Sequence, residues 1–220
     1  MIETGISFAD IHSFYDLDLI LSAVDISPAK PKTTYVDIPG ADGSIDLTEA
    51  LGDVRFSDRT HKFTLTMNPM GDLSESAWEA KKTALCNALN GRACRITLDK
   101  DPDYYWIGRL TVDSFKSNKR IRQFVVSARV KPYKYKQTET VVSVELPGGV
   151  KNVTLRNSRL PVCPVITCTD DNAEIIFNGN TYKLSAGSHK VLDIRLTEGD
   201  NEMTVSGTGQ VSFTYQEGDL

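Results

Sequence analysis

Three histidines, four cysteines and a short run of aspartates are the side chains of this 220-residue chain with types suited to chemistry. Catalysis would ask for a nucleophile beside a base, a carboxylate pair, or a metal cluster. His12, His61 and His189 are far apart in sequence, and each reads as a strand or loop residue. No GxSxG elbow, HExxH pair or phosphate-binding glycine loop occurs. Cys86, Cys94, Cys163 and Cys168 form no close CxxC pair, so zinc is not expected. They read as small buried apolar residues, Cys86 in a helix and the other three in strands. Asp99, Asp101 and Asp103 alternate as calcium ligands can, yet a calcium loop supplies more oxygens and a closing bidentate acid. A turn accounts for them better, because Asp side chains bond their own backbone and Pro102 presets one dihedral angle. The expectation is a protein with no catalytic residue, no metal site and no cofactor.

Two binding chemistries need weighing. Lys116, Lys119, Arg120, Arg122, Arg129, Lys131, Lys134 and Lys136 cluster near Tyr133 and Tyr135, an interleaving that single-strand nucleic-acid binders use for stacking. Against it, residues 1 to 139 hold 19 acidic and 19 basic side chains, so this part has no basic field. A carbohydrate site would need an aromatic platform with polar neighbours. Both tryptophans, Trp78 and Trp106, precede residue 137, and the aromatics beyond it are Phe177, Tyr182, Phe213 and Tyr215, in alternating strands that would bury many of them. A lectin-like adhesion module is therefore the alternative reading, and sequence-specific nucleic-acid binding is not expected.

The elements that position these residues are mostly strands. Net charge is -4 and the length suffices for one large β domain or two modest ones. The start, MIETGISFADIH, lacks the basic and apolar regions of a signal peptide, and no apolar run approaches a membrane span; a cytoplasm-like setting or export without a cleaved signal is expected, with no membrane insertion. Residues 5 to 26 read as two strands around a polar corner at Ser13 to Asp16, with Leu17, Leu19 and Leu21 on one face. TTYVDI (33–38) is a strand, followed by the loop PGADGS, where Gly40 and Gly43 permit positive φ and Asp42 suits an Asx turn. IDLTEAL then runs extended or partly helical. HKFTLTMN (61–68) alternates with Phe63, Leu65 and Met67 inward. One helix is expected over Leu73 to Leu89, capped by Asp72 with Glu75 reaching back and stopped by Asn90 and Gly91; Trp78, Leu85 and Leu89 share its narrow apolar face. Tyr104 to Val112 is a strand in which Tyr104 and Trp106 point one way and Tyr105 the other, so both of its faces should be covered, either by two layers of the chain's own core with the Tyr hydroxyls at the rim or by the chain on one face and a partner surface on the other. Ser117 to Lys119 turns the chain, and Ile121 to Val130 returns with Phe124, Val126 and Ala128 together.

After KPYKYKQTET the pattern becomes eight short strands: 138–145, 151–156, 162–169, 173–177, 181–184, 190–196, 202–206 and 211–215. Turns are marked by PGG at 147, NGN at 178, Gly187, EGD at 198 and GTG at 207, which suggests an antiparallel sandwich. Beyond 139 the chain holds 10 acidic and 6 basic residues, a shift that suits a second domain. The fold class expected is mainly β: an N-terminal sandwich or barrel-like domain with one packing helix over 1–136, then a β-sandwich over 137–220.

The order of segments carries a resemblance. A two-strand start, DIPGADGSIDLTEAL, an alternating strand, a Trp-containing helix ending LNG, then RITLDKDPDYYWIGRL and a strand ending PYKY together resemble the siphophage distal tail protein (Dit) family. IPGxDGSxDL and DPDYYWIGR in this order are the specific part, covering residues 1 to about 136; beyond that the likeness rests on architecture and on LPVCPVI and EGDNEMTVSG. The resemblance implies a C-terminal galectin-like sandwich without inserted carbohydrate-binding modules, and a structural, non-enzymatic role. It further implies a homo-hexameric ring in the virion tail tip or baseplate, made in the cytoplasm of the bacterial host. Its partners would be the tail tube protein, the tail-associated lysin or spike protein, and a receptor-binding protein at the periphery. Candidate subunit-interface residues are Pro39, Gly40, Asp42 and Gly43 in the loop, and Tyr104, Tyr105, Trp106 and Arg109 in the aromatic strand.

Overall fold

A computed structural model describes residues 5–50, 52–118 and 121–220. Leu51 of IDLTEAL, and Lys119 and Arg120 of the basic stretch with the end of its turn, lie outside the described residues. The chain divides into two compact units, Met1–Lys134 and Tyr135–Leu220, beside the sequence-based boundary at 136.

The first unit is built from β1 (Ile6–Phe8), β2 (Ile11–His12), β3 (Leu19–Ile26), β4 (Tyr35–Asp37), β5 (Ser44–Asp46), β6 (Arg59–Met67), α1 (Glu75–Leu89), β7 (Ala93–Leu98), β8 (Tyr104–Ser117) and β9 (Arg122–Val130). Seven strands form one path, β2-β1-β7-β8-β9-β6-β3, with antiparallel neighbours throughout. Its inner face follows from strict alternation. In β6, Arg59, His61, Phe63, Leu65 and Met67 are buried while the intervening residues are not, as side chains two apart share a face. Phe63 meets Phe8 edge-on at 6.0 Å. β4 and β5 pair only with each other, outside this sheet.

Helix α1 closes the inner face through the expected residues, Trp78, Leu85 and Leu89, all buried. Trp78 lies 4.6 Å from Phe124 between ring centroids. The cap differs from the sequence-based one. Ser74 Oγ accepts the Ala77 amide at 3.2 Å, whereas Asp72 accepts the Ser74 amide one turn earlier. Ser74 wins because its extended backbone places the hydroxyl over the free amides of the first turn. Glu75 does not reach back; it binds Arg122 at 2.8 Å. At the other end Gly91 takes φ +80, which favours glycine, and its amide donates to the Leu110 carbonyl at 2.9 Å, fastening the helix end to β8.

In the second unit follow β10 (Lys134–Lys136, starting in the last residue of the first unit), β11 (Thr140–Asn157), β12 (Val165–Cys168), β13 (Ala173–Phe177), β14 (Asn180–Leu184), β15 (Gly187–His189), β16 (Gly199–Tyr215) and β17 (Gly218–Asp219). Here four of the expected short strands are two long ones. PGG at 147 and GTG at 207 do not reverse the chain; they lie opposite each other, Pro147 beside Thr208, at an irregularity in the β11–β16 ladder. Gly148, Gly207 and Gly209 adopt positive φ there, so glycine supplies a bulge and bend rather than a turn. The bend lets β16 pair with β13 at Thr204–Ser206 and with β12 at Val211–Thr214. Leu155, Ile166, Ile175, Val205 and Phe213 fill the core so formed. The strand expected over 190–196 is not one; only a bridge between Val162 and Leu196 remains, and Gly187–His189 pairs with β12 instead.

Candidate functional site

Each residue considered for chemistry has a structural occupation. His12 Nδ1 accepts the amides of Phe14 and Tyr15 at 3.1 and 3.2 Å, which places the ring proton on Nε2, 3.2 Å from both Asp99 carboxylate oxygens. Asp101 binds Lys134 at 2.8 Å. With Asp99 accepting from His12, Asp101 paired with Lys134, and the backbone closed by Asp101 N to Leu98 O and Tyr104 N to Asp101 O, the aspartate run is a turn. His189 Nε2 bonds the Ser185 carbonyl at 2.8 Å. Of the cysteines only Cys168 is buried; Cys86, Cys94 and Cys163 are half-buried, and Cys163 lies outside any strand, its thiol against the Leu192 carbonyl. The expectation that all four are buried is corrected accordingly: Cys94 packs against the core from β7 without being enclosed, Cys86 lies in α1 outside its buried set of Trp78, Leu85 and Leu89, and Cys163 lies in a connection.

His61 differs from the other two histidines. It is fully buried, edge-on to Trp106 at 5.2 Å, beside buried Arg59. Neither of its ring nitrogens, nor Arg59 Nε or Trp106 Nε1, has a hydrogen-bond partner. Burial, then the nearby Arg59 charge, pushes the His61 pKa down to about 4. A neutral imidazole held among aromatics, with neither ring nitrogen hydrogen-bonded and the opposing pull of the Asp25 charge outweighed, acts as a core residue.

Among the described residues of the basic stretch, four are paired with acids: Arg122 with Glu75, Arg129 with Asp58, Lys134 with Asp101 and Lys136 with Glu217. Glu217 is the tightest of these acids. Burial alone would raise its pKa, but hydrogen bonds from Lys136 (2.6 Å), Thr140 (2.5 Å) and Ser158 (2.8 Å) and the Lys136 charge hold it below the ordinary range. In the same unit, Phe177, Phe213 and Tyr215 are buried and Tyr182 packs on the core. None of the four offers a platform for a sugar ring.

What remains exposed is of another kind. Residues 30 to 57 leave the sheet as an arm. Its stalk is tied by a Pro31–Phe56 bridge and by Lys32 N to Arg55 O (2.7 Å) and Ser57 N to Lys30 O (2.9 Å). Beyond the stalk, β4 and β5 pair Tyr35 with Asp46, Val36 with Ile45 and Asp37 with Ser44. Alternation therefore puts Tyr35, Asp37, Ser44 and Asp46 on one face and Val36, Ile38, Ile45 and Leu47 on the other. Every residue of the two strands is exposed, and the four apolar ones keep 43 to 48 % of their surface. Gly40 and Gly43 carry positive φ at the tip, as the PGADGS reading expects. Asp46 is held below the usual carboxylate range by the Thr48 hydroxyl and amide.

The eight candidate interface residues thus separate. Pro39, Gly40, Asp42 and Gly43 sit at the exposed arm tip, and Arg109 is exposed on the outer face of β8. Trp106 belongs to the inner core, and Tyr105 is buried on the outer face under the Arg95 guanidinium, 4.5 Å from its ring centre. Tyr104 is half-buried beneath Lys134. The aromatic faces are covered within the chain, so the exposed candidates are the tip and Arg109. The apolar face of the arm escaped sequence reading, although the alternation of 35–38 with 44–47 around a glycine loop carries it.

No family model and no curated protein matches the chain. Among solved structures it is similar to SPP1 Dit (gp 19.1), described as a paradigm of the hub adsorption apparatus in phages that infect Gram-positive hosts. Identity is 14 %, the TM-score is 0.74 and the match covers 99 % of each chain. At that identity the likeness speaks to architecture, and it runs through both units. The chain has the fold of a siphophage distal tail protein.

Proposed function

We propose that this protein is a phage or prophage distal tail protein that works by assembly rather than by reaction. It forms a homo-hexameric ring at the virion tail tip, joins the tail tube protein to the tail-associated lysin or spike, and offers its periphery to a receptor-binding protein. The first unit, residues 1–136 in the sequence-based division, makes the ring and the second surrounds it as a galectin-like sandwich.

The observation that carries this reading is the arm. A two-stranded ribbon is marginal in water without further cover, and this one presents a contiguous apolar face, Val36, Ile38, Ile45 and Leu47, with no core beneath it. Contiguous exposed apolar surface marks a protein contact. The distal tail fold supplies the context in which such a contact is made between subunits. Light scattering with negative-stain imaging of the purified protein tests the proposal. Rings, alone or on addition of tail tube protein, are expected; a strict monomer at high concentration with no ring on that addition overturns it.

A further inference from the structure

The outer face of the central strands carries a groove of about 490 Å³, floored by Ile107 and rimmed by Arg109, Arg129 and Lys131, with Asp58 as the one acid. Arg109 and Arg129 stand directly opposite each other in the β8–β9 register. Like charges so placed repel. Asp58 relieves Arg129 at 3.1 Å, and among the described residues Arg109 holds the Gly91 carbonyl, at 2.6 Å, and pairs with no acid. The Arg129 side chain is still 77 % exposed, so the rim has spare capacity for carboxylates, the anion that planar guanidinium groups pair with best.

The arm has the opposite chemistry. Between Lys32 and Arg55 it carries Asp37, Asp42, Asp46, Glu49 and Asp53 and no basic residue. Asp37 and Asp46 share the polar face with Tyr35, and both are fixed in place, Asp37 by the Ser44 hydroxyl at 2.6 Å and Asp46 by the Thr48 amide at 2.9 Å. Pre-set carboxylates lose little freedom on docking. No residue of β4 or β5 lines the chain's own groove. From the stalk bridge to Gly40 the arm spans at most about 30 Å, at roughly 3.3 Å per residue, enough to reach an adjacent subunit.

Resting on the assembly reading above, we propose that the acidic face of one copy's arm seats in the basic groove of the next copy. Asp37 and Asp46 meet Arg109 and Arg129, and Tyr35 covers Ile107. The contact is heterologous, so each subunit gives one arm and receives one, the arrangement that closes a ring. The apolar face of the arm is turned away from this seat, toward the rest of the assembly.

Charge reversal tests the pairing, with oligomer mass read by light scattering and fold by circular dichroism. The groove variant R109E/R129E and the arm variant D37R/D46R should each weaken association at least tenfold, and the chain carrying all four changes should recover it. Mixing the two defective variants should restore assembly with the two chains alternating, since the wild-type arm meets a wild-type groove at one contact and the reversed arm meets a reversed groove at the next. Because Arg109 also holds the helix end, K131E, a change at an exposed rim position, serves as a second groove variant and should weaken association in the same direction. Wild-type assembly of the folded groove variants would overturn the seat while leaving the ring reading intact. A wild-type chain that never assembles would overturn both.

Discussion

Two antiparallel ribbons in this protein have similar local chemistry and opposite fates. In β11–β16 the apolar residues Leu155, Met203 and Val205 vanish into a core, at 3 % exposure or less. In β4–β5 the apolar residues Val36 and Ile45 keep more than 40 % of their surface. The difference lies in what the other strands do. β16 is flanked by β11 on one side and by β13 and β12 on the other, and its bend wraps them round a shared interior. β4 has β5 and nothing else. Alternation alone does not stabilise a strand; its apolar face has to be buried. The first ribbon contributes to folding, and the second, under the assembly proposed above, contributes to association.

The sharpest way to break that contrast is a truncation in each setting. Phe63→Ala removes a fully buried ring that packs on Phe8, and the lost transfer energy plus the cavity should cost about 4 kcal/mol. Urea titration of the first unit checks it. Both tryptophans, Trp78 and Trp106, lie in that unit, so intrinsic fluorescence follows it alone. A cost below about 1 kcal/mol would mean that this core is not what holds the unit together.

Acid should separate the two units next. His61 titrates near 4 when folded against 6.5 when exposed. Between those values the unfolded chain binds a proton that the folded chain refuses, so stability is full above pH 6.5 and falls as pH drops toward 4. At about 1.4 kcal/mol per pH unit the total loss is about 3 kcal/mol. Glu217 works in a lower window. Its folded pKa lies below 4.5, so its contribution is full above that value and is lost only as pH falls through the folded one. Tryptophan fluorescence should therefore show the first unit weakening near pH 5, while hydrogen exchange of β11 and β16 stays protected. Simultaneous loss would refute the assignment to His61, as would unchanged pH dependence in His61→Leu.

Glu217→Gln is a smaller test within the second unit. It keeps the shape but removes the charge that Lys136, Thr140 and Ser158 all address. A loss of about 2 kcal/mol at pH 7 is expected, the scale of hydrogen bonds to a charged group. The variant should also lose the fall in stability below pH 4.5 that belongs to this residue. If stability at pH 7 is unchanged, the cluster is a surface arrangement without structural weight.

How much of this was legible in the sequence depends on distance along the chain. Period-two alternation placed Phe63, Leu65 and Met67 inward, and helical spacing placed Trp78, Leu85 and Leu89, because each pattern is local and burial enforces it. Glycine misled where its role was set by a remote strand. A Cβ on Gly207 would come within 2.8 Å of the Asn172 carbonyl oxygen, so that glycine serves a crossing with residues 35 positions away, and nothing adjacent to it distinguishes this from a turn. The same holds for the interface candidates. That Tyr105 would be roofed by Arg95, and that Arg109 would face Arg129, follow from the pairing of β7, β8 and β9 rather than from any short motif.

The smallest effect on stability should come from the arm, and there the contrast between ribbons is decided. Val36→Ser with Ile45→Ser replaces a cross-strand pair that is already about half in water. Surface substitutions away from a core change stability by about 0.5 kcal/mol or less, so the urea midpoint of the monomer should barely move. Under the proposed assembly, association should nevertheless drop, because the subunit contact would bury the same apolar area. Burial of a Val or Ile side chain is worth about 1.5 to 3 kcal/mol when complete, and these two begin half-covered, so a loss of roughly tenfold or more in oligomer affinity is the expected reading by light scattering. If the double change instead lowers monomer stability by 2 kcal/mol or more, the arm is folded against its own body in solution. The two ribbons would then differ in position rather than in purpose.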